Sequence, residues 1–226
     1  LCASLQPLGL GQLHCRYVLR NTYFFTLLNR AVDCVVVYFD GACEPVNPGG
    51  VGSYGFVAYR ENNFLHGEGG VACVGERWCT NNYAEYTALI KALEWSLSRR
   101  WECVEARGDS QLVVRQIEGL YQVRSHTLKT LYERALQLAE RFSTFRITWV
   151  PRYKNREADR YSKEAYCKYL QADPHIRERY VKHLATERQI AILKRLGIEP
   201  SPCLSKREAS QLIEKTLGGR RKRENQ

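Results

Sequence analysis

Apolar residues follow two different spacings along residues 33–171, and these spacings predict strands and helices in a definite order. Short β-branched and aromatic runs predict strands, whereas apolar residues three and four positions apart predict helices. The predicted strands are Cys34–Asp40, Tyr54–Arg60, Phe64–Cys73, Cys103–Arg107 and Phe145–Val150. The predicted helices are Tyr83–Arg100, Gln111–Glu118, 127–142 and Arg156–Leu170. The order β-β-β-α-β-α-α-β-α predicts an α/β fold with a mixed five-stranded sheet flanked by helices.

Glycine, proline and asparagine mark the connections between these elements. The first strand is expected to end at Asp40, because Gly41 opens a segment rich in glycine and proline that runs to residue 52. Asn63 and its two predecessors predict a hairpin between the second and third strands. Small polar residues from Thr80 onward are capping candidates for the first helix. Residues 151–154 are expected to form a loop before the last helix.

Four carboxylates occupy corresponding places in these elements. Asp40 and Asp109 lie at predicted strand ends, whereas Glu85 and Asp159 lie in the first turns of predicted helices. If the two strands are neighbours, the four acids converge beyond the strand ends, where sites form in such sheets. Without Lys or Arg partners they would repel one another, and hard oxygen ligands favour Mg²⁺ or Mn²⁺. Alone, each acid is an ordinary turn or capping residue. Together they predict a site for two metal ions that could assist phosphodiester cleavage.

The net charge of +10 is concentrated at the two ends of the chain. Residues 173–226 contain 13 Lys and Arg against 7 Asp and Glu, and residues 1–32 contain three Arg and no acid. Residues 33–172 are nearly neutral, with 18 basic and 17 acidic side chains. This distribution indicates a polyanionic partner that an acidic centre could approach only with bound cations.

Cysteine usage and hydropathy indicate a compartment. Nine cysteines include no C-x-x-C pair, which favours reduced thiols over a zinc site or a disulfide framework. No apolar run approaches the ~20 residues of a membrane span. We expect an intracellular protein, cytoplasmic, or nuclear or organellar if the source is eukaryotic.

Composition divides the chain into three parts. Residues 1–32 are a leader of uncertain structure, either an ill-defined segment or an organellar transit peptide. Residues 33–171 form the catalytic domain. Residues 172–226 form a basic helix–loop–helix extension and tail, in which Thr186 and Ser205 each begin a helix and Gly218 ends the second. The extension either contacts nucleic acid or is a packing or partner-binding pair, and its basic tail is either a nuclear-localisation signal or a solvated end.

Four segments of the chain resemble the motifs of type 1 ribonuclease H in the order of that family. They are Tyr38-Phe-Asp-Gly-Ala-Cys43, Thr80-Asn-Asn-Tyr-Ala-Glu-Tyr-Thr-Ala-Leu89, Gly108-Asp-Ser-Gln111 and Trp149-Val-Pro-Arg with Glu157-Ala-Asp159. The resemblance covers about residues 34–171 and implies the ribonuclease H-like fold. It implies an endoribonuclease that hydrolyses the RNA strand of RNA–DNA hybrids with two metal ions, leaving 5′-phosphate and 3′-hydroxyl ends. The expected protein is a monomer.

The resemblance also implies roles for individual residues. Asp40 would bridge both metals, Glu85 and Asp109 would bind the metal facing the leaving oxygen, and Asp159 the metal holding the attacking water. The residues that would contact the hybrid are Gly41, Asn82 and Gln111 at RNA 2′-hydroxyls, Thr80 at a DNA phosphate, and Asn81. The 2′-hydroxyl is the group that distinguishes RNA from DNA. For Asn81, helix capping alone is the alternative.

Three features depart from common members of the family. Arg152 stands where a His is frequent, and in having Arg there the chain resembles archaeal and some bacterial members. Arg cannot shuttle protons near neutral pH, because it stays charged. It would hold the scissile phosphate or ease product release, or it is a solvated loop cation. A lysine-rich protrusion is absent between Gln116 and the next helix. Trp78 replaces an Arg that assists the phosphate pocket at Thr80, and Arg77 is a substitute.

Two other functions remain open at this level. A non-catalytic hybrid-binding module could keep the same fold, although such a protein would be expected to lose a metal ligand and this chain has all four. A resolvase or integrase of the same superfamily is the other alternative, but the Thr80–Glu85 and Gly108–Gln111 segments favour the ribonuclease.

Overall fold

A computed structural model describes residues 33–224, with side chains described as far as residue 218. The prediction of a leader at residues 1–32 lies outside this range. Five strands form one mixed sheet in the order β3-β2-β1-β4-β5. The strands are β1 (Val35–Glu44), β2 (Val51–Arg60), β3 (Asn63–Val74), β4 (Cys103–Gly108) and β5 (Thr144–Trp149). β1 pairs antiparallel with β2 and parallel with β4, so the predicted mixed five-stranded sheet is confirmed.

The sheet is covered by helices on both faces. The helices are α1 (Asn81–Ser98), α2 (Gln111–Ile117), α3 (His126–Ala139), α4 (Arg156–Ala172), α5 (Pro174–Tyr180), α6 (Glu187–Arg195) and α7 (Lys206–Glu224). Short 3₁₀ turns lie at Arg152–Lys154 and Val181–His183. Along β1, residues with odd numbers such as Val37 and Phe39 point into a core shared with α1, α2 and α3. Since successive strand residues face opposite sides, Tyr38 and Asp40 point toward the face that α4 covers.

Two predicted boundaries are wrong. β1 does not stop at Asp40 but continues through Gly41 to Glu44, because residues 41–44 pair with residues 51–54 of β2. The ladder hydrogen bonds of this pairing extend the strand where glycine suggested a turn. α7 does not open at Gly218 but continues to Glu224. A cost of about 1 kcal/mol for each glycine does not end a helix of this length.

The C-terminal extension contains the two predicted helices and one that was not predicted. Thr186 caps α6 in a reciprocal capping box with Gln189. Before it, α5 begins at Pro174, and the Asp173 side chain accepts hydrogen bonds from the next free backbone N–H groups. Proline is compatible with the first helical position, because the backbone N–H that it lacks would have no partner within the helix there.

Six cysteines form three disulfides, which the sequence did not predict. The pairs are Cys34–Cys103, Cys73–Cys79 and Cys167–Cys203. Cys43 is a free and buried thiol. The expectation of reduced thiols is wrong for these six cysteines. It was based on spacing along the sequence, whereas each pair joins residues that only the fold brings together or that flank a loop. No helix within the described range combines the length and apolar character needed to cross a bilayer.

Candidate active site

Asp40 and Asp109 lie side by side on two neighbouring inner strands, at the edge of the sheet where β4 ends. β1 and β4 are parallel neighbours, with Phe39 opposite Gly108. Asp109 directly follows β4. The next residue along each strand is therefore an aspartate, and the condition set by the sequence, that these strands be neighbours, is met. Asp40 is 6% exposed, and its Oδ2 accepts a hydrogen bond of 3.0 Å from the Ser162 hydroxyl.

Two glycines allow helices to approach this edge closely. A Cβ at Gly41 would lie 2.2 Å from the backbone nitrogen of Glu85, so the first turn of α1 passes directly over β1. A Cβ at Gly55 would lie 2.4 Å from the carbonyl oxygen of Ala158, so α4 rests directly on β2. Because real Cβ atoms do not approach so closely, only glycine fits at these positions. The first contact brings Glu85 to the site and the second brings Asp159.

Burial and neighbouring carboxylates raise the pKa values of Asp40 and Glu85. Burial, followed by the charges of Asp109 and Asp159, raises the pKa of Asp40 from 3.8 to about 7. Burial also raises the pKa of Glu85 from 4.5 to about 8; the charges of Asp40 and Asp109 add to this, while a hydrogen bond from Ser110 opposes it. The four acids therefore interact across one small volume, as their places in the elements suggested.

Asp159 differs from the other three because two cations contact it. Its Oδ1 lies 3.2 Å from Nη2 of Arg152, and its Oδ2 lies 2.8 Å from Nζ of Lys163. The sequence treated all four acids as lacking Lys or Arg partners, which is wrong for Asp159. Lys163 follows Asp159 by one helical turn, an ordinary i,i+4 pair. Arg152 remains 76% exposed, so it is free to reach a ligand above the site.

Asn155 is a positioning residue that sequence reasoning missed. It is 1% exposed, and its Nδ2 donates hydrogen bonds to Phe39 O at 2.9 Å and to Asp109 Oδ1 at 2.6 Å. Asn155 precedes α4 but makes no side-chain capping bond. An Asn immediately before a helix suggests a cap, and only the three-dimensional structure shows that its amide instead joins β1 to Asp109. Ser162, also missed, lies one turn after Ala158 and reaches Asp40.

The predicted substrate-binding residues surround the first turn of α1. Thr80 is the helix cap, since its hydroxyl accepts a hydrogen bond from the Tyr83 N–H at 3.2 Å. Asn81 is not the cap: its Oδ1 accepts from the Cys43 N–H at 2.7 Å and ties α1 to β1. Asn82 is half-buried on the same turn, and Gln111 is exposed at the start of α2. Together with Gly41, these residues border the carboxylates.

Trp78 occupies the place beside Thr80 in the predicted phosphate pocket. Its ring packs against Tyr83, with ring centroids 4.8 Å apart. A cavity of about 330 Å³ there is lined by Trp78 and Tyr83 and by four residues of α3, which are His126, Thr127, Thr130 and Leu131. Arg77, the predicted substitute, is exposed. The pocket next to Thr80 is therefore more aromatic than cationic.

The chemistry of the four side chains fits hard divalent cations, although Asp159 already contacts two cationic side chains. All four candidate ligands are carboxylates, the ligand type that Mg²⁺ and Mn²⁺ prefer. Oε2 of Glu85 is buried and has no hydrogen-bond partner, which is costly unless a cation or donor satisfies it. Within residues 33–224, no three His, Cys, Asp or Glu side chains form a ready group for a metal ion. Asp159 is held by Arg152 and Lys163, so these two contacts would have to exchange on metal binding.

The fold and the site place the chain among known proteins. Residues 39–165 match the family described as reverse transcriptase-like. Ribonuclease HI of Halobacterium salinarum is 40% identical over 131 residues, which are 58% of this chain and 63% of that protein, so the chain spans less than two thirds of this curated relative.

Two solved structures show the same architecture. The crystal structure of RNase H1 from Halobacterium salinarum has a TM-score of 0.54 at 38% identity, covering 58% of this chain and 96% of that one. LC11-RNase H1, solved in complex with an RNA/DNA hybrid, has a TM-score of 0.54 at 36% identity, covering 60% of this chain and 99% of that one. With a family match over more than half of its length and these sequence identities, the chain belongs to the type 1 ribonuclease H family.

Proposed function

We propose that this protein is an endoribonuclease that hydrolyses the RNA strand of RNA–DNA hybrids with two divalent metal ions, leaving 5′-phosphate and 3′-hydroxyl ends. The observation that carries the proposal is the convergence of Asp40, Glu85, Asp109 and Asp159, with an unpartnered buried oxygen on Glu85. Such a cluster is unfavourable unless cations occupy it. A relative in the same family was solved with an RNA/DNA hybrid, which supports this substrate.

The four carboxylates would hold the metal ions, Mg²⁺ or Mn²⁺. Bound there, the cations would neutralise phosphate charge and lower the pKa of the attacking water. The protein's own groups position this chemistry. Asn155 fixes Asp109 and Ser162 fixes Asp40, so both carboxylates face the site in one orientation. Arg152, anchored at Asp159 and otherwise exposed, would contact the scissile phosphate or release the product.

Recognition of the hybrid would use the surface around the first turn of α1. Asn82, Gln111 and the backbone at Gly41 would contact ribose 2′-hydroxyls, the sugar groups that distinguish RNA from DNA. Thr80 would contact a phosphate of the DNA strand. Asn81 acts through Cys43, because its side chain is occupied in holding β1 to α1.

A cleavage assay tests the proposal. The purified protein is given hybrid, duplex RNA and duplex DNA of one sequence, with Mg²⁺, Mn²⁺ or EDTA. We expect cleavage of the RNA strand of the hybrid alone, and only with a metal. Binding to the hybrid without cleavage in either metal would instead support a non-catalytic hybrid-binding module.

Location and assembly are part of the same proposal. We place the protein inside the cell because RNA–DNA hybrids are intracellular molecules, and we expect a monomer. The three disulfides weigh against a strongly reducing compartment. Counting free thiols in protein isolated from its source under acid quench tests whether the disulfides form there. Light scattering measures the mass and tests whether the protein is a monomer.

A further inference from the structure

The C-terminal extension shares a core with the catalytic domain through Tyr180 of α5, Leu184 and Cys203. The side chains in this core are Val51, Tyr166, Leu170, Tyr180, Leu184 and Cys203. The Tyr180 hydroxyl donates a hydrogen bond of 2.8 Å to Gly49 O, and a disulfide joins Cys167 to Cys203. The extension therefore has a fixed position relative to the site. Deleting it would uncover this core, so its role has to be tested by changing surface charges in the full chain.

The start of α7 is tied to α4, the helix that carries Asp159 and Lys163, because the Cys167–Cys203 disulfide ends three residues before Lys206. Glu44 ends β1, four residues after Asp40. Burial and the charge of Glu208 raise the pKa of Glu44, whereas the charges of Lys163, Arg207 and Arg152 lower it. Charged side chains from α7, from α4 and from the loop that carries Arg152 thus lie near enough to Glu44 to act on its charge. We call Arg152 and Lys163, the two cations that contact Asp159, the rim of the site.

Two cations on this turn are available to a ligand. Lys206 and Arg207 are exposed. Neither forms an ion pair with another residue in the part of the chain that the structure describes. Glu208, the nearest acid in sequence, is instead engaged by Ser205, whose hydroxyl lies 2.9 Å from Oε2. This turn therefore presents two exposed cations against one acid, Glu208.

We infer that Lys206 and Arg207 form a phosphate-binding surface for the RNA–DNA hybrid, continuous with the rim at Arg152 and Lys163. The inference rests on the proposed function, because it assigns more of the same substrate's contacts. A duplex lying across the four carboxylates is a rigid rod and extends beyond them over the neighbouring surface. The catalytic domain is nearly neutral and lacks a basic protrusion, so phosphate contacts elsewhere are needed for affinity. Each such contact gains free energy by releasing counterions.

Two double variants, each of which removes two positive charges, test the inference. Lys206→Gln/Arg207→Gln, the α7 pair, is compared with Arg99→Gln/Arg100→Gln, the α1 pair. The α1 pair removes the same charge directly after the end of α1, about 20 Å from Glu85. All proteins carry Asp109→Asn to prevent turnover, and hybrid affinity is measured by fluorescence anisotropy between about 50 and 200 mM salt. We expect the α7 pair to weaken binding roughly 10-fold and to flatten the log–log salt slope by up to about two. The α1 pair should change affinity less than about two-fold.

Steady-state kinetics with Asp109 intact separates this inference from the proposed function. The α7 pair should raise KM for the hybrid and leave kcat unchanged. Equal KM and equal salt slopes in the two pairs, in a protein that cleaves hybrids, would overturn the inference alone. A protein that binds hybrids through Lys206 and Arg207 but cleaves none would retain the surface and overturn the proposed function.

Discussion

Asn155 and Asp109 are joined by a hydrogen bond of 2.6 Å from the amide nitrogen to the carboxylate. The same nitrogen donates to Phe39 O, the residue before Asp40. One buried side chain therefore fixes the relative positions of two candidate metal ligands that lie 69 residues apart in sequence. Groups that orient metal ligands in this way commonly contribute 10- to 100-fold to affinity or activity.

Asn155→Ala is expected to lower kcat about 10- to 100-fold, because Asp109 loses the donor that orients it. KM for the hybrid should change little, since Asn155 is buried away from the substrate surface. Kinetics at saturating Mg²⁺ measures both parameters. Asn63→Ala, an exposed position at the start of β3, is the control. An unchanged kcat would show that Asp109 needs no support from this amide.

Asp109→Asn is expected to abolish turnover while hybrid binding survives. The amide cannot supply a negative oxygen to a cation, but it keeps the size of the side chain. Single-turnover cleavage and anisotropy are measured on the same preparation. Glu102→Gln, an exposed change beyond the opposite end of β4, should retain full activity. Normal turnover in Asp109→Asn would remove this residue from the site.

Gly41→Ala is expected to destabilise the fold and separate Glu85 from Asp40. The added Cβ would lie 2.2 Å from backbone atoms of α1, and such overpacking costs at least about 1–3 kcal/mol. Urea denaturation measures the loss. Gly218→Ala is the control and should have the opposite effect on stability. Nothing lies within 4 Å of its new Cβ, so the free energy of unfolding should rise by about 0.5–1 kcal/mol. A fully stable and active Gly41→Ala protein would contradict the close crossing of β1 and α1.

Stability without metal should fall as pH rises from about 4 to about 8. The pKa values of Asp40 and Glu85 are raised by burial and by neighbouring carboxylates, to about 7 and about 8. In this range the folded protein retains protons that the unfolded chain has lost, so raising the pH favours unfolding. Urea denaturation in EDTA at pH 5 and pH 8 measures the fall, and Asp40→Asn should make it smaller. The same pH dependence in both proteins would show that Asp40 is not desolvated as described.

Lys163→Met is expected to tighten metal binding, because Asp159 loses one of the two cations that contact it. The effect should be no more than about five-fold, since exposed ion pairs contribute about 0–1 kcal/mol. Calorimetric titration with Mn²⁺ in the absence of hybrid measures it. Lys168→Met, an exposed change farther along α4, is the control. Weaker binding in Lys163→Met would mean that Lys163 supports the site rather than competes for Asp159.

The sequence predicted the order of the elements and the convergence of the four acids because both depend on local patterns. Apolar spacing distinguishes strands from helices, and each acid stands beside a recognisable turn or helix start in the sequence. The continuation of β1 past Gly41 was not predicted, because it depends on pairing with β2.

Other features depend on contacts between distant residues. Asn155 looks like an ordinary helix cap, and nothing local to it indicates Asp109 as its partner. The pairing of Cys34 with Cys103 and the docking of Tyr180 on Gly49 likewise require the folded chain. The contacts of Arg152 and Lys163 with Asp159 are partly local, and the i,i+4 spacing of Lys163 was a signal that could have been used.

The most direct test of the account is cleavage of a hybrid by the full chain, with its products sequenced and their ends identified. The account predicts that, with Mg²⁺ or Mn²⁺, only the RNA strand of the hybrid is cut, leaving 5′-phosphate and 3′-hydroxyl ends, and that EDTA stops the reaction. Cleavage that persists in EDTA, equal cleavage of duplex DNA, or no cleavage of the hybrid in either metal would contradict it.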